Sequence, residues 1–179
     1  MKRAVLIVLL LTLAVPCLAF GQAQTAPPPK PGPEVQRLGY FVGTWRYVGK
    51  VLTDPKGTYE GTQTWEWFPG GFSVVGKAEG TGVSGGPQNE LMIMGYSTTD
   101  KFYPSYTVSR SGAGRTVRKW SVNGSVWTCE AESTVDGKPA KYRYTTTEDS
   151  PAAWTYKVER SVEGGPWTQT IDLKATKVK

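Results

Sequence analysis

From Thr44 onward the chain reads as short runs of alternating apolar and polar residues, each closed by a turn signal. No gap between runs is long enough for a crossover helix. Parallel pairing needs a crossover of about a dozen residues or more, so neighbouring runs must pair antiparallel, as successive hairpins. In Tyr59–Trp67 the alternation is plain: Tyr59, Gly61, Gln63, Trp65 and Trp67 share one face, and Glu60, Thr62, Thr64 and Glu66 take the other. The first run sets Trp45, Tyr47, Gly49 and Val51 against Thr44, Arg46, Val48 and Lys50, with Val48 the one misfit. The runs Phe72–Thr81, Leu91–Ser97, Phe102–Arg110, Arg115–Val122, Val126–Thr134, Ala140–Thr147, Ala153–Arg160 and Trp167–Lys177 complete ten. Between them stand Asp54-Pro55-Lys56-Gly57, Pro69-Gly70-Gly71, Ser111-Gly112-Ala113-Gly114, Asn123-Gly124, Asp136-Gly137 and Glu163-Gly164-Gly165-Pro166. Asn-Gly and Asp-Gly are the strongest short hairpin signals.

A meander with one apolar face has two open edges, and closure into a barrel removes them. The expected fold is therefore all-β: a single antiparallel up-and-down barrel of about ten strands, with one short helix over Glu34–Val42 before Gly43. Alternation sends Trp45, Tyr47, Trp65, Trp67, Phe72, Val74, Trp127, Trp154, Tyr156, Trp167, Ile171 and Leu173 inward. About eight strands already leave room for side chains or one small ligand, and ten leave more.

Residues 1–23 read as a signal peptide. Lys2-Arg3 precedes an apolar run from Ala4 to Val15, Pro16 breaks it, and small residues follow at Ala19 and Ala23. The run is shorter than the roughly 20 residues of a spanning helix, so export to the periplasm or exterior is expected and a transmembrane span is not. Pro16 stands where a lipoprotein signal wants a small residue, which argues against lipidation at Cys17. Residues 24–34 hold five prolines and read as a disordered tether. The barrel domain is then 35–179. With Cys17 in the leader, only Cys129 remains, and no internal disulfide can form. The net charge of +6 includes two leader cations, and the rest is scattered, so nucleic acid is not an expected partner.

The chain contains no histidine. That excludes Ser-His-Asp and Cys-His nucleophile systems, His-ligated zinc or haem, and an imidazole base. No catalytic residue, metal ligand or cofactor is assigned, and enzymatic activity is left open, with binding favoured. Gly80-Thr81-Gly82-Val83-Ser84-Gly85 fits G-x-G-x-x-G, but a strand follows where a dinucleotide site needs a helix N-terminus, so it reads as a hairpin loop. Glu130 and Glu132, roughly 6.5–7 Å apart on a strand, could serve acid–base work or a cation; with Trp127, Cys129 and Ala131 inward, both face water instead. Cys129 reads as an inert inward thiol. Asn123-Gly124-Ser125 fits a glycosylation sequon that its hairpin already explains.

Arg110, Arg115, Arg118 and Lys119 form the densest basic stretch. Arg118 shares its face with Trp120, which leaves two readings: an anion site in the lumen, or a surface arginine with a snorkelling stem. The lumen candidates for ligand contact are Trp45, Tyr47, Trp65, Trp67, Arg118, Trp120, Trp127, Trp154 and Tyr156. The same rings would serve equally as strand-forming core.

The opening Leu38-Gly39-Tyr40-Phe41-Val42-Gly43-Thr44-Trp45 resembles the Gly-x-Trp opening of lipocalin-like barrels. With Trp65-Glu66-Trp67, Gly70-Gly71-Phe72, Gly95-Tyr96-Ser97, Lys101 and Tyr103, it is similar to a widespread bacterial lipocalin-like family of unknown function (the 1579 family), over roughly Gln36 to Ala175. The resemblance implies a barrel, often exported, and brings no catalytic residue or ligand. Nitrobindin-like haem barrels share the opening but hold iron through a histidine, which this chain lacks; no tyrosine is singled out to replace it.

The leading expectation is an exported lipocalin-like barrel binding a small, mostly apolar or carboxylate-bearing molecule in its lumen. The alternatives are a structural or interaction protein of the cell envelope with a filled barrel, and a histidine-free enzyme using carboxylate, Tyr or Arg groups.

Overall fold

The computed structural model describes residues 29–53, 57–82, 85–110 and 116–178. The segments expected as signal peptide and first part of the tether, Asp54-Pro55-Lys56, Val83-Ser84 of the glycine motif, the Ser111 turn with Arg115, and Lys179 lie outside them. Within Pro31–Lys179, ten strands run in chain order: β1 Gly43–Val51, β2 Thr58–Trp67, β3 Ser73–Thr81, β4 Pro87–Gly95, β5 Tyr103–Ser109, β6 Thr116–Asn123, β7 Val126–Val135, β8 Lys138–Ser150, β9 Ala153–Val162 and β10 Thr168–Lys177. Each pairs antiparallel with its sequence neighbours, and β1 also pairs with β10 through Trp45↔Lys177 to Val51↔Ile171. The sheet is a closed up-and-down barrel.

The expected helix is shorter than Glu34–Val42. One α-turn, α1 (Pro33–Gln36), passes into a 3-10 turn, Arg37–Tyr40. Proline suits the first turn, where its missing N–H costs nothing; Gly39 and the need to pack Leu38 and Phe41 inward tighten the second turn. This segment plugs one end of the barrel. Leu38 is fully buried and Phe41 meets the Trp127 ring edge-on at 5.1 Å. Trp45 is also fully buried, and its indole N–H donates to the Phe41 carbonyl at 2.6 Å.

Two glycines let large rings lie flat on the inner wall. A Cβ at Gly76 would stand 2.6 Å from the Trp65 indole, and one at Gly49 would stand 2.7 Å from the Tyr59 ring. Both positions pair across strands, Gly76 with Trp65 and Gly49 with Tyr59.

Three residues expected inside are not. Trp67 is 38% exposed and Phe72 is 42% exposed. Trp67 ends β2 at the rim, where the plug turn at Gly39 takes its ring edge; Phe72 precedes β3 in the turn, outside the pleat that would have turned it inward. Trp167 precedes β10, and a bulge between Gln169 and Ile171 shifts the parity of that strand. Its ring lies under the Arg143 guanidinium at 4.2 Å, on the wall that also carries Glu130 and Glu159.

Candidate functional site

The lumen is not filled. It holds a cavity of about 440 Å³, within the range of small-molecule sites. Of the candidates, Tyr47, Trp65, Arg118, Trp120, Trp127, Trp154 and Tyr156 line it. Trp45 does not: it lies beneath, 6.1 Å from Trp154 by ring centroids, and seals the plugged end. Trp67 stands outside.

Arg118 is the one cation on the cavity wall among the described residues. It sits on β6 opposite Ser105 of β5, and alternation places it on the same face as buried Trp120, whose indole N–H donates to Ser105 Oγ at 3.0 Å. Its guanidinium lies over the Tyr144 ring, 4.1 Å from the centroid. Its Nε is buried without an acceptor, and no carboxylate among the described residues reaches it within 4.0 Å. Burial works against the charge, but the neighbouring Tyr156 and Tyr144 more than offset it and raise the pKa above the ordinary arginine value. The group remains a cation at every working pH.

Around it stand tyrosines. Tyr142, Tyr144 and Tyr156 form a near-parallel ladder with centroids 6.3 and 6.4 Å apart. Tyr47 and Tyr59 face each other at 6.1 Å, and the Tyr47 hydroxyl donates to Gln88 Oε1 at 3.0 Å. Burial pushes Tyr47 up to about 12, with Glu90 adding to it. Burial raises Tyr59 and Tyr156 as well, although Arg118 pulls against the rise at Tyr156. Cys129 is buried and its thiol is raised chiefly by that burial. Tyr47, Tyr59, Tyr156 and Cys129 are thus held protonated near neutrality.

Sequence reasoning missed part of the wall. β4 begins at Pro87 rather than Leu91, so Gln88, Glu90, Met92 and Met94 face the lumen while Leu91 and Ile93 face out. Apolar and polar residues occur on both faces of this strand, so alternation does not single out the inner one. Tyr59 and Tyr144 also line the cavity. Glu130 and Glu132 face water as expected, Glu130 accepting from Arg143 at 3.1 Å and Glu132 lying 3.9 Å from Lys141. No cluster of metal-ligating side chains occurs among the described residues.

Residues 30–177 match the profile of a family described as "Protein of unknown function (DUF1579)". No curated protein matches the chain. Among solved structures, Rv2717c from M. tuberculosis is similar with a TM-score of 0.51 and 16% identity, over 84% of this chain and 100% of that one. The S-type phycobiliprotein lyase CPES from Guillardia theta is similar with a TM-score of 0.51 and 11% identity, over 80% and 92%. At such identities the likeness is one of fold.

Proposed function

Since the chain belongs to the DUF1579 family of proteins of unknown function, which hands down no ligand, we propose that its lumen binds one small, mostly apolar molecule through a carboxylate seated on Arg118. The observation that carries this reading is a charged guanidinium in the wall of a roomy cavity, stacked on Tyr144 and with no carboxylate of the described residues within 4.0 Å, although Glu90 lines the same lumen. Tyr156 and Tyr144 hold this cation in the wall without neutralising it, so its charge is available to an anion in the lumen. The aromatic and methionine side chains around it suit an apolar body. The raised pKa values of Tyr47, Tyr59, Tyr156 and Cys129 leave these groups as neutral donors rather than bases or nucleophiles, which supports binding over catalysis.

Decanoate and decanol, titrated into purified protein by tryptophan quenching, test this directly. Decanoate binds at least tenfold more tightly, and Arg118→Leu removes the difference while leaving decanol unchanged. Equal affinity of the unaltered protein for acid and alcohol would overturn the reading. The leader at 1–23 supports action outside the cytoplasm; the mass of protein recovered from a periplasmic fraction checks whether cleavage follows Ala19 or Ala23.

A further inference from the structure

The outer wall of the barrel is two-sided. On β7–β9 it is laced with ion pairs: Glu130–Arg143 at 3.1 Å, Arg143–Glu159 at 3.8 Å, Glu132–Lys141 at 3.9 Å and, at the turn ends, Lys138–Glu163 at 2.8 Å. On β3–β6 it is apolar. Among the described residues, eight of the eleven exposed large apolar side chains fall between residues 67 and 72 or between 91 and 117. Strand register sets six apolar residues in two adjoining rows. Val75, Ile93, Tyr106 and Val117 stand side by side, and Leu91 pairs with Val108 in the next. At the edge of β3, the turn carrying Trp67, Phe68 and Phe72 adds three exposed rings, with Phe68 57% exposed.

Cations are set into this surface. Lys77 is directly opposite Leu91, and Lys119, two residues beyond Val117, lies 5.1 Å over the Phe102 ring. Glu66 and Glu79 stand only at its β2 and loop margins. We propose that this face, with its aromatic turn, docks the barrel onto an anionic lipid surface. A second copy fits less well. Two rows across four strands cover roughly 300 Å² from strand spacing, well under the ~800 Å² per partner of a stable interface, and a two-fold pairing would bring lysines against their own copies. A lipid interface sets no such minimum: aromatic rings settle at the headgroup level and lysines snorkel to the phosphates.

Co-sedimentation with phosphatidylglycerol–phosphatidylcholine vesicles, against phosphatidylcholine alone, tests the proposal. The protein partitions onto the anionic vesicles. Phe68→Ser with Val117→Ser weakens partition at least tenfold, and Lys77→Gln with Lys119→Gln removes the preference for anionic lipid. Arg118→Leu binds vesicles as before, which separates this face from the lumen. Circular dichroism confirms that each variant is folded. Absence of partition by the unaltered protein, or unchanged partition by the folded serine pair, would sink the proposal. So would a dimer in sedimentation velocity that the serine pair dissolves, because a second copy would then cover the face.

Discussion

Arg37 in the plug reaches Glu148 on β8 at 2.9 Å, and the same carboxylate oxygen accepts the Trp127 indole N–H at 2.6 Å. One acid thus joins the plug to the inner wall. Arg37 also donates to the Gly124 carbonyl at 2.6 Å, and the Tyr40 hydroxyl lies 2.9 and 2.7 Å from the carbonyls of Ser150 and Ala153. The turns β6–β7 and β8–β9 are both tied to this segment, so the barrel end is closed by polar latches around a buried aromatic centre.

Loss of Glu148 leaves the Trp127 indole N–H without its acceptor and takes the carboxylate from Arg37, which keeps only the Gly124 carbonyl. With the Glu148 side chain 9% exposed and Arg37 35% exposed, Glu148→Ala costs about 2 kcal/mol, below the 3–5 of a fully buried pair. Urea unfolding of Arg37→Ala, Glu148→Ala and the double variant measures it, and a coupling of about 1 kcal/mol is expected.

Arg118→Leu acts on ligand preference rather than on stability. Exchanging this cation, whose desolvation Tyr156 and Tyr144 offset, for an apolar side chain changes stability by less than about 1 kcal/mol, while the preference for a carboxylate is lost. Thermal unfolding without ligand shows a Tm close to that of the unaltered protein; a markedly lower one would mean that the guanidinium is a structural pillar rather than an anchor for an anion.

Gly76→Val drives a branched side chain into the Trp65 indole. Moving that ring disturbs its neighbours on the cavity wall, and overpacking of this kind costs about 2–3 kcal/mol. Near-ultraviolet circular dichroism reads the displaced ring, and decanol affinity falls because the lumen is reshaped.

Alkaline pH weakens the fold. Burial raises the Tyr47 hydroxyl from 10.0 to about 12, so the folded state keeps a proton that the unfolded chain gives up. This stabilisation is complete below pH 10 and is lost as pH rises toward 12. For Tyr47 alone it amounts to about 2–3 kcal/mol, and Tyr59 and Tyr156, raised also by burial, act in the same sense. Urea midpoints measured between pH 9 and 12 should fall steadily while phenolate absorbance lags behind that of denatured protein; a flat profile would contradict it.

Much of the barrel is legible residue by residue because a strand's side-chain period is two and its turns have distinctive chemistry. Tyr59 to Trp65 and Trp127 to Cys129 sort to the faces that alternation assigns them, and Asp136-Gly137 turns with both residues at positive φ. Trp67, Phe72 and Trp167 escape the rule because alternation holds only inside a ladder; at a rim, in a turn or before a bulge, nothing enforces it. β4 escapes it differently. Its inner face mixes Gln88 and Glu90 with Met92 and Met94, and its outer face carries Leu91 and Ile93, so hydrophobicity assigned neither side.

Local chemistry along the chain therefore determined the number of strands, their antiparallel order and the closure that results from having no crossover. Position in the closed ring decided the rest: that Arg118 meets a tyrosine face and no acid, that Glu90 turns inward, and that the plug stops short of filling the lumen. These depend on which strands curvature brings to face one another, and a pattern with a two-residue period carries no information about partners two or more strands away.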